Sequence, residues 1–166
     1  MPRIISHRGN LNGPIPEREN SLSYIDEAIN ANWHVEVDVR AKDGHIYLGH
    51  DFAQYDVKYG ELHSRRRHLW VHCKDIQSFF YMPDFKCFCH TADPFCLVTP
   101  GSYPAYPGWV WVHDLSLELT NLSIIPLLSK EDIDNFDLDR AKNIYGICTD
   151  YPEYLKSKLW IKKIYN

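Results

Sequence analysis

Residues 34–51, which read HVEVDVRAKDGHIYLGHD, decide the fold. The first seven alternate between valines on one side of an extended strand and a polar side made of His34, Glu36, Asp38 and Arg40. Lys42-Asp43-Gly44 is typical of a tight turn, so a second strand should follow and lead into His50. The stretch therefore predicts a strand pair that carries two carboxylates on one face.

Short strands and short helices alternate on both sides of this pair. A strand is predicted to end at His7, and a helix capped by Asn20 or Ser21 to reach about Ala31. Further strands are predicted at Leu69–Lys74, Lys86–His90, Phe95–Thr99, Trp109–His113 and Ile144–Thr149. Helices are predicted after Lys74, over Lys130–Phe136 with Ser129 as its cap, and over Tyr151–Leu159. This order predicts an α/β fold with a mostly parallel sheet, in one domain of residues 1–166.

Composition narrows the class of protein. The chain has 166 residues, 45% of them hydrophobic, which suits one globular domain with its own core. The net charge of -4 gives no reason to expect nucleic-acid binding. The basic run Arg65-Arg66-Arg67-His68 has two interpretations, a phosphate-binding patch or a solvated helix end.

Location is predicted from apolar runs and cysteines. No apolar run approaches the roughly 20 residues that a membrane helix needs, and no signal-peptide segment opens the chain. The five cysteines lack a C-x-x-C pair, and three lie in apolar runs typical of buried thiols. We therefore expect a reducing, cytoplasmic setting with no disulfide framework.

Five short segments carry residues suited to phosphodiester chemistry: His7-Arg8-Gly9, Glu19-Asn20, Glu36-Val37-Asp38, Gly49-His50-Asp51 and His72-Cys73-Lys74. Two residues apart on a strand, Glu36 and Asp38 can hold one cation, and their oxygens suit Mg²⁺ or Ca²⁺. Two histidines that titrate near neutrality, His7 and His50, can serve as general acid and base. For the phosphate charge, Arg8 offers a bidentate fork and Lys74 a point charge. The alternative for V-E-V-D-V is the solvated face of an amphipathic strand.

In this order, the segments resemble the glycerophosphodiester phosphodiesterase family. The family pattern of HRG, EN, E-x-D-V, D-G and H-D is matched at residues 7–9, 19–20, 36–39, 43–44 and 50–51, and T-D-Y-P is matched at 149–152. The resemblance implies a TIM-type (β/α) barrel and a metal-dependent phosphodiester hydrolase of lipid metabolism. It assigns acid/base roles to His7 and His50 and metal binding to Glu36 and Asp38. It also implies that a neighbouring hydroxyl of the substrate attacks first and forms a cyclic phosphate.

Two departures from the family pattern affect the prediction. The family's third metal ligand is a carboxylate two residues before a lysine, and His72 stands there, which favours Mn²⁺ or Zn²⁺ if the imidazole binds the ion. Otherwise water or Glu19 completes the shell. The chain is also shorter than a typical barrel of about 250 residues, so several outer helices should be short or missing, or a homodimer covers the bare strands. His90 either supports the site or is an ordinary loop histidine.

Two other functions fit the same residues. A catalytically weakened module would bind a phosphate or phosphodiester without cleaving it, as the His72 departure and the short chain suggest. A phospholipase-D-like lyase would use the same histidine pair and E-x-D, although secretion signals and disulfides are not indicated here. The sequence does not specify the alcohol groups of a small-molecule phosphodiester substrate.

Overall fold

Ten strands form one curled mixed sheet in the computed structural model, which describes residues 1–90, 92–103 and 107–165. The strands are β1 Arg3–His7, β2 His34–Lys42, β3 His45–Leu48, β4 Tyr55–Val57, β5 Leu69–Cys73, β6 Lys86–Phe88, β7 Phe95–Val98, β8 Trp109–Val112, β9 Ser123–Pro126 and β10 Gly146–Thr149. The predicted α/β class is confirmed. Of these strands, β4 and β9 were not predicted from the sequence.

Six parallel pairings run through the sheet, in the order β6-β5-β2-β1-β10-β9-β8. The long strand β2 pairs with β5 along its first part and with antiparallel β3 from Val39 onward, so β3 and β4 branch off as a ribbon. At the other end, β7 is antiparallel to β8. The sheet is curled, and the Thr99 N–H, just after β7, donates to the Cys87 carbonyl of β6 at 2.8 Å. The carboxyl ends of the parallel strands therefore converge on one side.

Helices cover only part of this sheet. They are α1 Leu22–Asn30, α2 Tyr59–Arg65, α3 Ile76–Tyr81, α4 Lys130–Asn135 and α5 Pro152–Tyr165, with a 3-10 turn at Arg140–Asn143. The predicted caps are confirmed, since Ser21 accepts from the Tyr24 N–H and Ser129 forms a capping box at α4. Between β6 and β9, the residues described contain no helix.

Both faces of β2 are buried, which excludes the alternative of a solvated polar face. Val35, Val37 and Val39 pack in the core under the helices, as the alternation predicts. Glu36 and Asp38 point into the curl and are 2% and 0% exposed. These carboxylates share the interior of the curl with an apolar, largely aromatic cluster that includes Trp70, Phe88, Trp109 and Trp111. Two carboxylates held in such surroundings are costly unless they are paired or bind a cation, so the burial itself indicates a function.

No helix within the described part of the chain is both long and apolar enough to cross a membrane. The five cysteines are free thiols, and three of them, Cys73, Cys87 and Cys148, are buried as expected.

Candidate active site

Strand register brings the predicted site residues together. His7 lies opposite Glu36 where β1 pairs with β2, and Asp38 lies opposite His72 where β2 pairs with β5. His7 and His72 lie near the carboxyl ends of β1 and β5, and Glu36 and Asp38 lie beside them in register within the longer strand β2. The side chains therefore meet on the side of the sheet where the loops after the strands converge.

Glu36, Asp38 and His72 form a buried group with the geometry of a metal site. Each offers one ligand atom, and these atoms all lie within 4.8 Å of one another. His72 Nδ1 lies 3.1 Å from Asp38 Oδ1 and 3.7 Å from Glu36 Oε1. Among the described residues, buried Glu36 Oε2 and Asp38 Oδ1 accept no hydrogen bond of good geometry. Two unsatisfied carboxylate oxygens beside an imidazole fit a divalent cation.

The pKa shifts in this group reflect the crowding of its charges. Burial, and then the charge of Asp38, raises the pKa of Glu36 to about 8. Burial would also raise the pKa of Asp38, but the close approach of His72 and the charge of Arg8 outweigh it and hold that pKa well below its usual range. Burial lowers the pKa of His72, which keeps the imidazole neutral and able to bind a metal.

Arg8 and Asn20 hold the Asp38 side chain in place through its Oδ2 atom. Asn20 donates through Nδ2 to Asp38 Oδ2 at 3.0 Å and accepts the Asp38 N–H at 2.9 Å. Arg8 Nε lies 3.0 Å from the same Oδ2, and Arg8 Nη1 donates to Glu19 at 3.0 Å. Both Arg8 and Asn20 have positive φ, 54° and 64°, so the backbone itself is bent to place them.

Glu19 is part of this support and not of the metal group. Its carboxylate accepts from Arg8 and, at 2.8 Å, from Asn10 Nδ2. Of the two residues considered as third ligand, the geometry thus brings His72 to the carboxylate pair and keeps Glu19 with Arg8.

His7 is oriented by a carboxylate that was not among the predicted site residues. Asp150 follows β10, and its Oδ1 lies 2.8 Å from His7 Nδ1 and accepts from Asn10 Nδ2 at 2.8 Å. His7 Nε2 is left 3.8 Å from Glu36 Oε2. Burial opposes the charged imidazole, but Asp150 and Glu36 outweigh it, and the pKa of His7 is raised. The signal for Asp150 was the T-D-Y-P match, which was used only to recognise the family.

His50 approaches from the loop after β3. Arg40 donates to the carbonyls of Gly49 and His50, at 3.2 and 2.5 Å. Gly49 has φ +146°, and a Cβ there would lie 2.2 Å from the Phe52 carbonyl oxygen, so the turn admits only glycine. The His50 side chain is 38% exposed, and its Nδ1 lies 2.7 Å from Asp51 Oδ1.

One cavity of about 240 Å³ joins these groups. Among its lining residues are seven that were predicted as site residues: His7, Arg8, Glu36, His50, His72, Lys74 and His90. The other two predicted site residues, Asp38 and Glu19, do not line the cavity. Asp38 contacts the lining residues Arg8 and His72, and Glu19 contacts Arg8. Lys74 Nζ is 3.7 Å from Asp38 Oδ1. The cavity is thus lined by a carboxylate, several histidines and cationic side chains.

Stacked rings that were not predicted from the sequence form the remaining wall. The His72 ring is nearly parallel to the rings of Phe88 and His90, whose centroids lie 4.8 and 4.7 Å from its own. Phe88 stacks on Trp111, and His90 meets His113 at 4.0 Å. Burial and the neighbouring histidines lower the pKa of His113 to about 4. This stacking fixes the plane of the His72 ring. His90 lines the cavity, in agreement with the interpretation in which it supports the site.

Comparisons with known proteins bear on the fold. No protein-family model and no curated protein matches the chain. Solved structures do match, among them a candidate glycerophosphodiester phosphodiesterase from Galdieria sulphuraria (TM-score 0.52, 17% identity, 96% of this chain and 98% of that one) and a candidate glycerophosphoryl diester phosphodiesterase from Silicibacter pomeroyi DSS-3 (TM-score 0.53, 14% identity, 98% and 94%). The resemblance inferred from the motifs is confirmed at the level of the fold.

Proposed function

We propose that the chain is a metal-dependent phosphodiester hydrolase that acts on glycerophosphodiester-like substrates within a reduced TIM-type barrel. The observation that carries this proposal is the buried group of Glu36, Asp38 and His72, which faces His7 across one cavity. The shared fold with two candidate glycerophosphodiester phosphodiesterases supports the class of reaction.

Glu36, Asp38 and His72 are the residues that would hold the ion. A divalent ion bound there would offset the negative charge of the phosphoryl oxygens. Two carboxylates suit Mg²⁺ or Ca²⁺, while the imidazole moves the preference toward Mn²⁺ or Zn²⁺. Asn20 and Arg8 keep Asp38 in place, because both contact its Oδ2 and leave Oδ1 turned to the group.

His7 and His50 move the protons. Asp150 accepts the Nδ1 proton of His7, so that Nε2 is directed into the cavity, where it can donate to the leaving oxygen. His50 lies on the more exposed side, where it can take the proton of the attacking hydroxyl, which is either the neighbouring hydroxyl of the substrate or water. In the second half of the reaction, the two histidines exchange roles.

Lys74, with Arg8, supplies positive charge at the wall of the cavity. Lys74 is directed toward Asp38 and lines the same space as both histidines. The Arg8 guanidinium already contacts Asp38 and Glu19 through Nε and Nη1. Its main effect on the phosphate is therefore electrostatic, and it has fewer free N–H groups for the bidentate contact that the sequence predicted. At about 240 Å³, the cavity is suited to a phosphodiester headgroup.

A second function is favoured by one observation, the imidazole in place of a carboxylate at His72. It lowers the negative charge of the ion site and suits a binding module that retains the phosphate pocket without turnover. The phospholipase-D-like lyase would use the same residues and is distinguished by its cyclic phosphate product. A single domain, a cytoplasmic setting and a homodimer over the bare strands stay predictions from the sequence.

The test is cleavage of a generic aryl phosphodiester. Product formation is measured separately with Mg²⁺, Ca²⁺, Mn²⁺ and Zn²⁺. We expect activity with at least one ion and its loss in His7→Ala and His50→Ala. Calorimetry with glycerol phosphate separates the alternatives, since binding without any turnover supports the binding module and contradicts the hydrolase.

A further inference from the structure

A second cavity lies at the opposite end of the parallel strands from the candidate active site. Its basic residues come from the start of three strands and from the segment before β5, and they are Arg3 of β1, His34 of β2, Lys86 of β6 and Arg67. Three aromatic rings, those of Tyr103, Trp109 and Tyr145, complete a space of about 180 Å³. Barrel residues at this end usually serve stability alone, so a cavity lined by cations here calls for an explanation.

Lys86 is the most unusual of these residues. It is 4% exposed, and its ammonium donates to the Arg67 carbonyl at 2.9 Å and lies 4.4 Å from the centre of the Trp70 ring. Within the described residues, it forms no ion pair with a carboxylate. Burial and the charge of Arg3 lower its pKa to about 7. A buried lysine is normally paired, because desolvating an ammonium is costly.

Among the described residues, the charged groups around Lys86 are positive. Arg3 contacts the Nε2 atom of His34, which is not a carboxylate. Burial, and then the charges of Arg3 and Lys86, lower the pKa of His34 to about 3. His68, beside this end of the sheet, has its pKa lowered by burial and by the same two cations. The described lining residues include neither aspartate nor glutamate.

We propose that this basal cavity binds a small oxyanion of the phosphate class. Arg3 and Arg67 offer planar forks for phosphate oxygens, and Lys86 offers a buried point charge between them. The space equals roughly six water volumes, which suits a single tetrahedral oxyanion. Such an anion would supply the negative charge that the surrounding side chains lack.

The basic run at residues 65–68 had two interpretations, a solvated helix end and a phosphate-binding patch, and each fits part of the run. Arg65 pairs with Asp26 at 2.6 Å, and Arg66 donates to the His63 carbonyl, so both belong to the end of α2. Arg67 instead lines the basal cavity. This inference is independent of the proposed hydrolase, because the two cavities share no lining residue.

Inorganic phosphate, titrated into the full chain, tests the proposal through the indole N–H signals of its tryptophans in nitrogen-15 NMR. Trp109 lines the basal cavity and Trp70 contacts Lys86, whereas Trp111 lines the candidate active site. We expect saturable shifts of the Trp70 and Trp109 signals, which chloride at equal ionic strength does not produce. Binding at the active site alone would shift Trp111 only.

Three variants sharpen the test. Lys86→Met and Arg67→Gln should each weaken phosphate binding at Trp109 about tenfold or more, since each removes a charge-assisted hydrogen-bond donor. Arg66→Gln removes the same charge one residue away, outside the cavity, and should change binding by less than about twofold. Arg67 is exposed, so its variant should fold even if Lys86→Met does not. Shifts confined to Trp111, shifts reproduced by chloride, or equal losses in the two arginine variants would each overturn the proposal.

Discussion

Replacing Asp150 with asparagine probes the orientation of His7 most sharply. Asp150 Oδ1 lies 2.8 Å from His7 Nδ1, in a contact where the two side chains are 9% and 16% exposed. Asp51 lies at a similar distance, 2.7 Å, from His50 Nδ1, but it is 82% exposed. The chain thus contains a buried and an exposed version of the same contact, and Asp51→Asn is the matched control.

The magnitude follows from the change in the hydrogen bond. A bond to a charged group contributes about 1.5–3 kcal/mol and a neutral one about 0.5–1.5, so the loss of the charge alone costs about 1–1.5 kcal/mol, or roughly tenfold in rate. If the amide turns its nitrogen toward His7, the proton moves to Nε2 and further activity is lost, as in a serine protease where the equivalent change costs about 10⁴. We expect kcat for Asp150→Asn to fall between about 10- and 1,000-fold.

The assay is steady-state hydrolysis of an aryl phosphodiester with the best divalent ion, combined with denaturant unfolding of each variant. KM should change little, because Asp150 contacts His7 and not the cavity. Asp51→Asn should lose no more than about threefold in kcat, since exposed pairs are screened. Equal losses in the two variants, or a wild-type kcat in Asp150→Asn, would refute the view that Asp150 positions His7.

Three further changes test the support of the site. His72→Glu should destabilise the metal-free protein, because it buries a third carboxylate, and should raise Mg²⁺ affinity about tenfold or more, both measured by thermal unfolding with and without the ion. Asn20→Ala should lower the free energy of unfolding by about 2–4 kcal/mol through two lost hydrogen bonds to Asp38 and a positive φ, while Asn20→Gly should recover about 1 kcal/mol of this in denaturant titrations. Gly49→Ala should lower kcat at least tenfold because its methyl group meets a backbone carbonyl, whereas Gly44→Ala, with φ +81° and open space, should keep the wild-type kcat.

Local patterns in the sequence predicted the framework around β2. The alternation over residues 34–40 and the turn at 42–44 are short-range signals, and both strands form where they were expected. The caps Ser21 and Ser129 are also local and are confirmed. The burial of both faces of β2 was not visible, because it depends on the curl that brings distant strands over Glu36 and Asp38.

Contacts between distant segments could not be predicted in the same way. Asp150 reaches His7 across 143 residues, and His113 meets His90 only because β6 and β8 lie near each other in the curl. The strand at Ser123–Pro126 was missed because four residues ending in proline carry almost no periodic signal. The motif match compensated for part of this loss, since it ordered the site segments without needing the intervening chain.

Phosphorus-31 NMR of a glycerophosphodiester, incubated with the wild-type chain and each divalent ion in turn, tests the proposed hydrolysis most directly. We expect the phosphodiester signal to be converted to that of a phosphomonoester, a chelator that removes the ion to stop the conversion, and His7→Ala not to catalyse it. A phosphodiester signal that stays unchanged with Mg²⁺, Ca²⁺, Mn²⁺ and Zn²⁺, in protein shown to be folded, would contradict it.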